Sequence, residues 1–285
     1  MGGPSGDVAV VKGSGDDIVE MILSGIFEID RQGFFMGPEG GFFPSNAFNK
    51  EFVDTKLSCN LIAVRRDSVY GASRHDFPAV VANLRALEKL IPSRKGETVL
   101  SCVREARGQV CIRLNHTLFV TNLQTKNMNT DPETAVDDGG LRLMLTLSTE
   151  MRTTDWPVQE RLKGALARAA ETHNISPLPV FDLHGESIDP SDYTRKLSGA
   201  IVRARFALMH YSIGGDKKSV FMAVVRDMVV LREPVAAPVN PLKRGCGIGE
   251  SGVSSSGNRP SKNARRVCRS LQSMPSPAND DHLQM

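Results

Sequence analysis

A period-two alternation of apolar and polar side chains recurs along this chain, and it commits most of the body to β-sheet. In the clearest case, GGLRLMLTLS, Leu141, Leu143, Leu145 and Leu147 point one way while Arg142, Met144 and Thr146 point the other. Val53, Leu57, Cys59 and Leu61 are set against Asp54, Lys56, Ser58 and Asn60, and Ala200, Val202, Ala204, Phe206 and Leu208 alternate with Arg203 and Arg205. Successive side chains of a strand face opposite sides, so each run reads as a strand with one buried face. A GGDKK turn joins the last run to the apolar stretch 220–231, which predicts a hairpin, and another is expected from 97–103 and 109–114 about Glu105-Ala106-Arg107-Gly108.

Helical spacing interrupts these strands. Asp76 caps a run in which Pro78 stands in the first turn and Val80, Val81, Leu84, Leu87 and Leu90 recur on one face up to Pro92. Asp155-Trp156-Pro157 opens another helix, with Trp156, Leu162, Ala165, Leu166 and Ala169 inward and Arg161, Lys163 and Arg168 outward, ended by His173-Asn174. A short helix is also expected over 18–27, with Ile18, Met21, Ile22 and Gly25 on one face. Strands and helices interleave without strict βαβ repetition. The expected fold is therefore α+β, an antiparallel sheet with packed helices, a flexible N-terminal arm over 1–50, a globular domain over 51–233 and a tail over 234–285.

The tail departs from core-building composition. Its Ser, Gly and Pro content, as in GCGIGESGVSSSGNRPS, buries too little apolar area to offset the entropy of ordering. Lys243, Arg244, Arg259, Lys262, Arg265, Arg266 and Arg269 outnumber Glu250, Asp280 and Asp281, giving the tail a surplus of positive charge while the whole chain carries only +3. Lys243, Arg244, Lys262, Arg265 and Arg266 resemble a bipartite nuclear localisation signal with a long spacer, which implies a nuclear import receptor; binding of nucleic acid or acidic lipid, and a merely solvated tail, are the alternatives.

Between the arm and the body, Phe34, Phe35, Phe42, Phe43, Phe48 and Phe52 crowd a segment broken by Gly33, Gly37, Pro38, Gly40, Gly41 and Pro44. It is either an irregular loop packed on its own core or a segment in which Phe34, Phe35, Phe42 and Phe43 make a self-association or membrane contact. Arg203, Arg205, Lys217 and Lys218 are a candidate surface for an anionic partner, with an ordinary solvated sheet face as the alternative. With three Tyr and one Trp, no aromatic platform for single strands is evident.

Chemistry finds little support. Gly247, Gly249 and Gly252 match GxGxxG, yet lie in the tail rather than between a strand and a helix. Asp182, His184 and Glu186 form a polar loop with no second histidine at metal-ligand spacing, so catalytic, cofactor and metal sites are all expected to be absent; an enzyme would need a pocket gathering Asp182, His184 and His210. The five cysteines form no CxxC pair, and Cys59, Cys102 and Cys111 sit in strand patterns as small hydrophobes. The N-terminus lacks the charged start and apolar core of a signal peptide, and Gly6 stands where a myristoylation motif takes Ser or Thr, so an intracellular, reducing location is expected.

From Phe52 onward the order KLSCNLIAV, DFPAVVANLRALEKL, ETVLSCVREARGQVCIRL and GGLRLMLTLSTEMRTTDWPVQERLKGALARAA resembles the matrix proteins of rhabdoviruses. The resemblance implies a protein that self-associates, condenses the viral nucleoprotein–RNA complex and ties it to an acidic membrane surface, with the Phe-rich segment and basic tail suited to those tasks. The chain departs from the family in lacking a lysine-crowded N-terminus and any PPxY motif, and in carrying a basic C-terminal tail. Both departures fit a plant-infecting, nucleus-replicating branch, which implies location in the virion, the host nucleus and the inner nuclear membrane. A plant-virus movement or nucleic-acid-binding protein is the alternative.

Overall fold

The computed structural model describes residues 6–11, 19–43, 51–65, 67–122, 151–213, 215 and 217–235. The strand expected at 141–147, Phe48 and the basic segment with Lys243, Arg244, Lys262, Arg265 and Arg266 lie outside the described residues.

Short strands β1 (Asp7–Val8), β2 (Val10–Val11) and β3 (Val19–Glu20) precede β4 (Ile22–Ile29), then β5 (Lys56–Ile62), helix α1 (Ser73–Glu88), β6 (Thr98–Leu100), β7 (Val103–Ala106) and β8 (Gln109–Thr117). After β9 (Phe119–Thr121) come helix α2 (Lys163–Ala170), β10 (His173–Ile175), β11 (Val180–Phe181), the short helix α3 (Tyr193–Leu197) and the long hairpin β12 (Ile201–Ile213) and β13 (Lys218–Arg232).

Five of these strands close on themselves. Going round, β4 pairs with β5, β5 with β8, β8 with β13, β13 with β12, and β12 returns to β4. Every contact is antiparallel except β8 with β13, which is parallel. The fold class is α+β, dominated by sheet. The remaining strands extend the barrel walls: β6 and β11 run parallel to the two ends of β13, β7 forms a hairpin with β8, and β1 lies along β12. In the order of the barrel strands along the chain the circuit is first–second–third–fifth–fourth–first, which is the Greek-key circuit of the oligonucleotide/oligosaccharide-binding (OB) barrel.

Alternation fills the interior. Leu57, Cys59 and Leu61 of β5, Ile112 and Leu114 of β8, Val202, Ala204 and Phe206 of β12 and Phe221, Ala223 and Val225 of β13 are buried together, as period two requires. Register shifts in the β12–β13 ladder between Ile201 and Val202 and between Arg205 and Phe206 supply the bulges that let so long a hairpin bend round the barrel. Helix α1 packs Phe77, Val81 and Leu84 into the same core, with the Phe77 ring edge-on to Phe27 at 6.2 Å. Buried Glu88 in its last turn accepts from the Cys102 backbone N–H (3.0 Å) and the Ser101 hydroxyl (2.9 Å), tying α1 to the strand that follows. Helix α2 presents Leu166 and Ala169 inward, beside Leu162. Among the described residues no helix is long and apolar enough to cross a membrane.

Several expectations change. Residues 22–29 form a strand, not a helix: Phe27 and Ile29 face the core two residues apart, the Ser24-Gly25 pair is a poor helix former, and Ile22 and Ile26 favour extended backbone. Residues 19–43 therefore belong to the body, since β4 is the first barrel strand, rather than to an arm ending at residue 50. The helix expected from Asp155 begins only at Lys163; Thr153–Asp155 and Glu160–Leu162 are 3-10 turns, because Pro157 interrupts helical hydrogen bonding between them. Helix α1 begins at Ser73, ahead of the Asp76 cap expected, and contains Pro78.

Candidate functional site

The outer face of β5 and β8 carries Ser58, Asn60 and Arg113, because the residues between them fill the barrel. Arg113 organises this face. Its Nη1 donates to the Gly33 carbonyl (2.8 Å) and to Asn60 Oδ1 (3.1 Å), and its Nη2 donates to the Ser58 hydroxyl (2.7 Å). All three acceptors are neutral. Burial pulls the guanidinium below its usual range, an effect that reports a costly charge at a group still protonated at neutral pH.

The loop from β4 to β5 folds over this face. Beyond Ile29 the chain leaves the barrel, and Phe35 takes over as backbone partner of Ser58, its N–H donating to the Ser58 carbonyl (2.7 Å) and its carbonyl accepting from the Ser58 N–H (3.0 Å). The Phe35 ring is left 43% exposed, with the Arg113 guanidinium 5.3 Å from its centroid. Two glycines make the packing possible. A Cβ on Gly33 would stand 2.8 Å from the Asn60 amide, and one on Gly41 would stand 2.4 Å from the Phe35 ring; both have positive φ, at 81° and 70°. The loop is pinned to the segment before α2 as well: the Trp156 indole donates to the Pro38 carbonyl (2.8 Å), and Glu39 accepts from the Gln159 N–H (2.8 Å) and from Arg161 (3.2 Å).

Beside Arg113 opens a groove of about 530 Å³ whose lining includes Arg31, Phe35, Asn60, Arg65, Arg107 and, as its acidic member, Asp30. Arg107 and Gly108 form a two-residue hairpin turn with φ of 55° and 74°, the mirror-image geometry that suits a twisted ribbon, and it holds Arg107 at the rim. Arg107 donates to the Gln32 side chain and Arg31 to the Val235 carbonyl, while Arg65 is held by Glu28 through its backbone (3.0 Å) and side chain (2.6 Å). Among the described residues no carboxylate stands within ion-pair distance of Arg31, Arg107 or Arg113. The face thus combines positive charge lacking an internal counter-ion with one exposed ring, which suits a ligand bearing both anionic and planar groups.

The residues singled out in the sequence are divided. Phe42 is buried, 6% exposed, and packs edge-on to Phe52 at 5.3 Å; Phe34 lies against the core. Phe35 and Phe43 alone of that quartet are exposed, Phe43 by 58%, so the chain offers two phenylalanines where no platform was evident. Arg205 is an internal ion-pair partner, 3.1 Å from buried Asp227, whose carboxyl is raised by burial against the opposing pull of Arg205 and Arg203. Arg203 is exposed on the same strand, away from β5 and β8; Lys217 and Lys218 stand at the β12–β13 turn, where the Lys217 carbonyl accepts from Thr98 at 2.9 Å. That quartet does not form one surface. Arg113, Asn60, Arg107 and Arg31 escaped sequence reasoning; the available signal was Arg113, a cation set between Ile112 and Leu114 in the apolar run that begins at Val110.

Asp182 accepts from the His184 and Glu186 N–H groups, which hold its carboxyl below the usual range, and so shapes its own turn. It follows β11, which pairs with β13 at Met228 and Val229, whereas His210 pairs with Phe221, about 25 Å away along the strand. Asp182, His184 and His210 are therefore not gathered into a pocket. Among the described residues no cluster of three His, Cys, Asp or Glu could hold a metal ion. Cys59, Cys102 and Cys111 are buried free thiols, Cys59 being pushed up to about 12 by burial.

No family model matches the chain, and no curated protein matches it. Solved structures match it at low similarity. Three among them are gp2.5, a single-stranded DNA-binding protein encoded by bacteriophage T7 (10% identity, 83% of this chain and 99% of that one, TM-score 0.38), the single-stranded DNA-binding protein from bacteriophage Enc34 (8% identity, 81% and 94%, TM-score 0.34), and its C-terminal truncation (8% identity, 80% and 96%, TM-score 0.34).

Proposed function

We propose that this protein binds single-stranded nucleic acid, without catalysis, along the β5–β8 face and the loop that covers it. The observation that carries the reading is Arg113: a half-buried guanidinium whose partners are all neutral, with donors of its fork unused, lying against the exposed Phe35 ring. A phosphate supplies the missing negative charge and an unstacked base supplies the missing face for the ring. A neutral sugar would use the ring and Asn60 but leave the guanidinium uncompensated, so the charge favours nucleic acid over oligosaccharide. Residues of the β4–β5 loop and of the β7–β8 turn both line the groove, and the occupant proposed is a single strand, not a duplex.

The test is titration of a labelled single-stranded oligonucleotide at stepped salt concentrations, with Arg107→Asn as the variant because Asn tolerates the left-handed turn. With Arg31, Arg107 and Arg113 each meeting one phosphate, log Kd is expected to change with log salt by a slope of about 2, and losing Arg107 to lower that slope by about 0.7. An unchanged slope in the variant would count against the groove.

The resemblance to rhabdovirus matrix proteins offers a second reading, favoured by the two exposed rings, Phe35 and Phe43, on a single loop. It predicts co-sedimentation with vesicles of acidic lipid, lost in the Phe35→Ser, Phe43→Ser double variant, and salt-sensitive self-association in sedimentation velocity.

A further inference from the structure

The β4–β5 loop repeats its Phe–Arg arrangement. Phe43 is exposed like Phe35, and the Arg161 guanidinium stands 5.7 Å from its ring centroid as Arg113 does over Phe35. The two residues lie on one loop. Gly41 abuts the Phe35 ring, and Phe43 follows two residues later, so its backbone begins within about 7 Å of that contact. Arg161 also lines a second groove, of about 640 Å³, between the turn Phe52–Asp54 and helix α2. Its floor includes Phe42, Phe52 and Leu162, and its rim includes Arg161, Arg168 and Glu51. Arg168, exposed on the last turn of α2, has no carboxylate at ion-pair distance among the described residues. Arg161 pairs with Glu39, on the same loop as Phe43, which ties the guanidinium to the loop that carries the ring.

We infer that Phe43, Arg161 and Arg168 form a second base-and-phosphate station, which takes the continuation of the strand lying on Phe35 and Arg113. The inference rests on the reading of the protein as a single-strand binder. It extends the ligand path off the β5–β8 face, across the loop tip and along α2. An exposed ring is unfavourable in water, and a base stacked on Phe43 would cover it while its phosphate meets Arg168.

The experiment measures affinities of the full chain and of Phe43→Ala, Phe43→Leu, Arg168→Gln and Phe35→Ala for oligothymidylates from about 4 to about 16 nucleotides, the range a single OB barrel accommodates. Wild-type affinity is expected to rise with length. Phe43→Ala and Phe43→Leu should bind the longest oligomers about 5- to 150-fold more weakly while matching wild type on the shortest, and Arg168→Gln should lower the salt slope only for long oligomers. Phe43→Leu keeps the apolar contact without an aromatic face, so its loss separates stacking from packing. If Phe43→Ala and Phe43→Leu match wild type at every length while Phe35→Ala does not, the second station is overturned and the first stands. If wild type binds no oligomer of any length, both readings fall.

Discussion

Replacing Phe35 by Ala removes the ring but not the strand contact that places it. The two backbone hydrogen bonds to Ser58, at 2.7 and 3.0 Å, need no side chain, so the loop keeps its path. The ring is 43% exposed, and burying a whole Phe contributes about 1.5–3 kcal/mol, so the folding cost of losing its buried part is about 1–1.5 kcal/mol. In a body of this size that lowers the melting temperature by about 2–6 °C. The binding cost is larger. A base stacked on an aromatic ring contributes about 1–3 kcal/mol by alanine substitution, which corresponds to a dissociation constant raised about 5- to 150-fold. Fluorescence anisotropy with a labelled single strand, alongside a thermal melt of each variant, separates the two effects. Phe35→Trp, which keeps a planar face, should restore binding to within about threefold of wild type. A folded Phe35→Ala protein that binds within twofold of wild type would refute the stacking role.

Further outcomes follow from other parts of the molecule. His116 is buried with its Nε2 at 2.8 Å from the Ser176 carbonyl, and burial lowers its pKa below 6.5; the unfolded chain then binds the extra proton, so stability falls as pH drops below about 6.5, by at most about 1.4 kcal/mol per pH unit, and His116→Gln should flatten that part of the urea-denaturation profile. Arg205→Gln leaves buried Asp227 without its ion-pair partner and should cost about 1–2 kcal/mol of stability in the same assay, yet leave oligonucleotide affinity within twofold of wild type. Deleting residues 240–270, which hold Lys243, Arg244, Lys262, Arg265 and Arg266, should abolish nuclear accumulation of a fluorescent fusion while circular dichroism of the body stays unchanged; retained accumulation would sink the import proposal.

Local periodicity carried much of the secondary structure. The β5 strand, the β12–β13 hairpin and most of the inward faces of α1 and α2 were legible because each contrasts apolar and polar neighbours at its own period, although Leu90 is 76% exposed. The hairpin expected of 97–103 with 109–114 is formed instead by 103–106, while 98–100 pair in parallel with β13, a long-range partner that no local pattern shows. The first barrel strand was not legible, since IVEMILSGIF satisfies a helical spacing as readily as a strand; what decides it is pairing with β12, as in Phe27 opposite Val202, which no local window contains. The candidate site was legible only in pieces. The crowd of phenylalanines was visible, but which of them face solvent depends on Gly33 and Gly41 letting the loop lie on Asn60 and Phe35. Arg113 comes from β8 and Arg161 from the turn before α2, and their meeting with Phe35 and Phe43 is a long-range contact that no local window contains. Arg205 failed as a surface cation for a similar reason: its partner Asp227 sits across the β12–β13 ladder.

The central claim concerns strandedness as well as charge, so the most direct measurement is competition. A labelled single strand bound to the full chain is challenged with an unlabelled strand of the same sequence, and in parallel with the same sequence closed into a duplex, at one fixed salt concentration. The account predicts that the single strand displaces the label and that the duplex does so only at concentrations at least about tenfold higher. Equal displacement by duplex, or no binding of the labelled strand at about 50 mM salt, would contradict it.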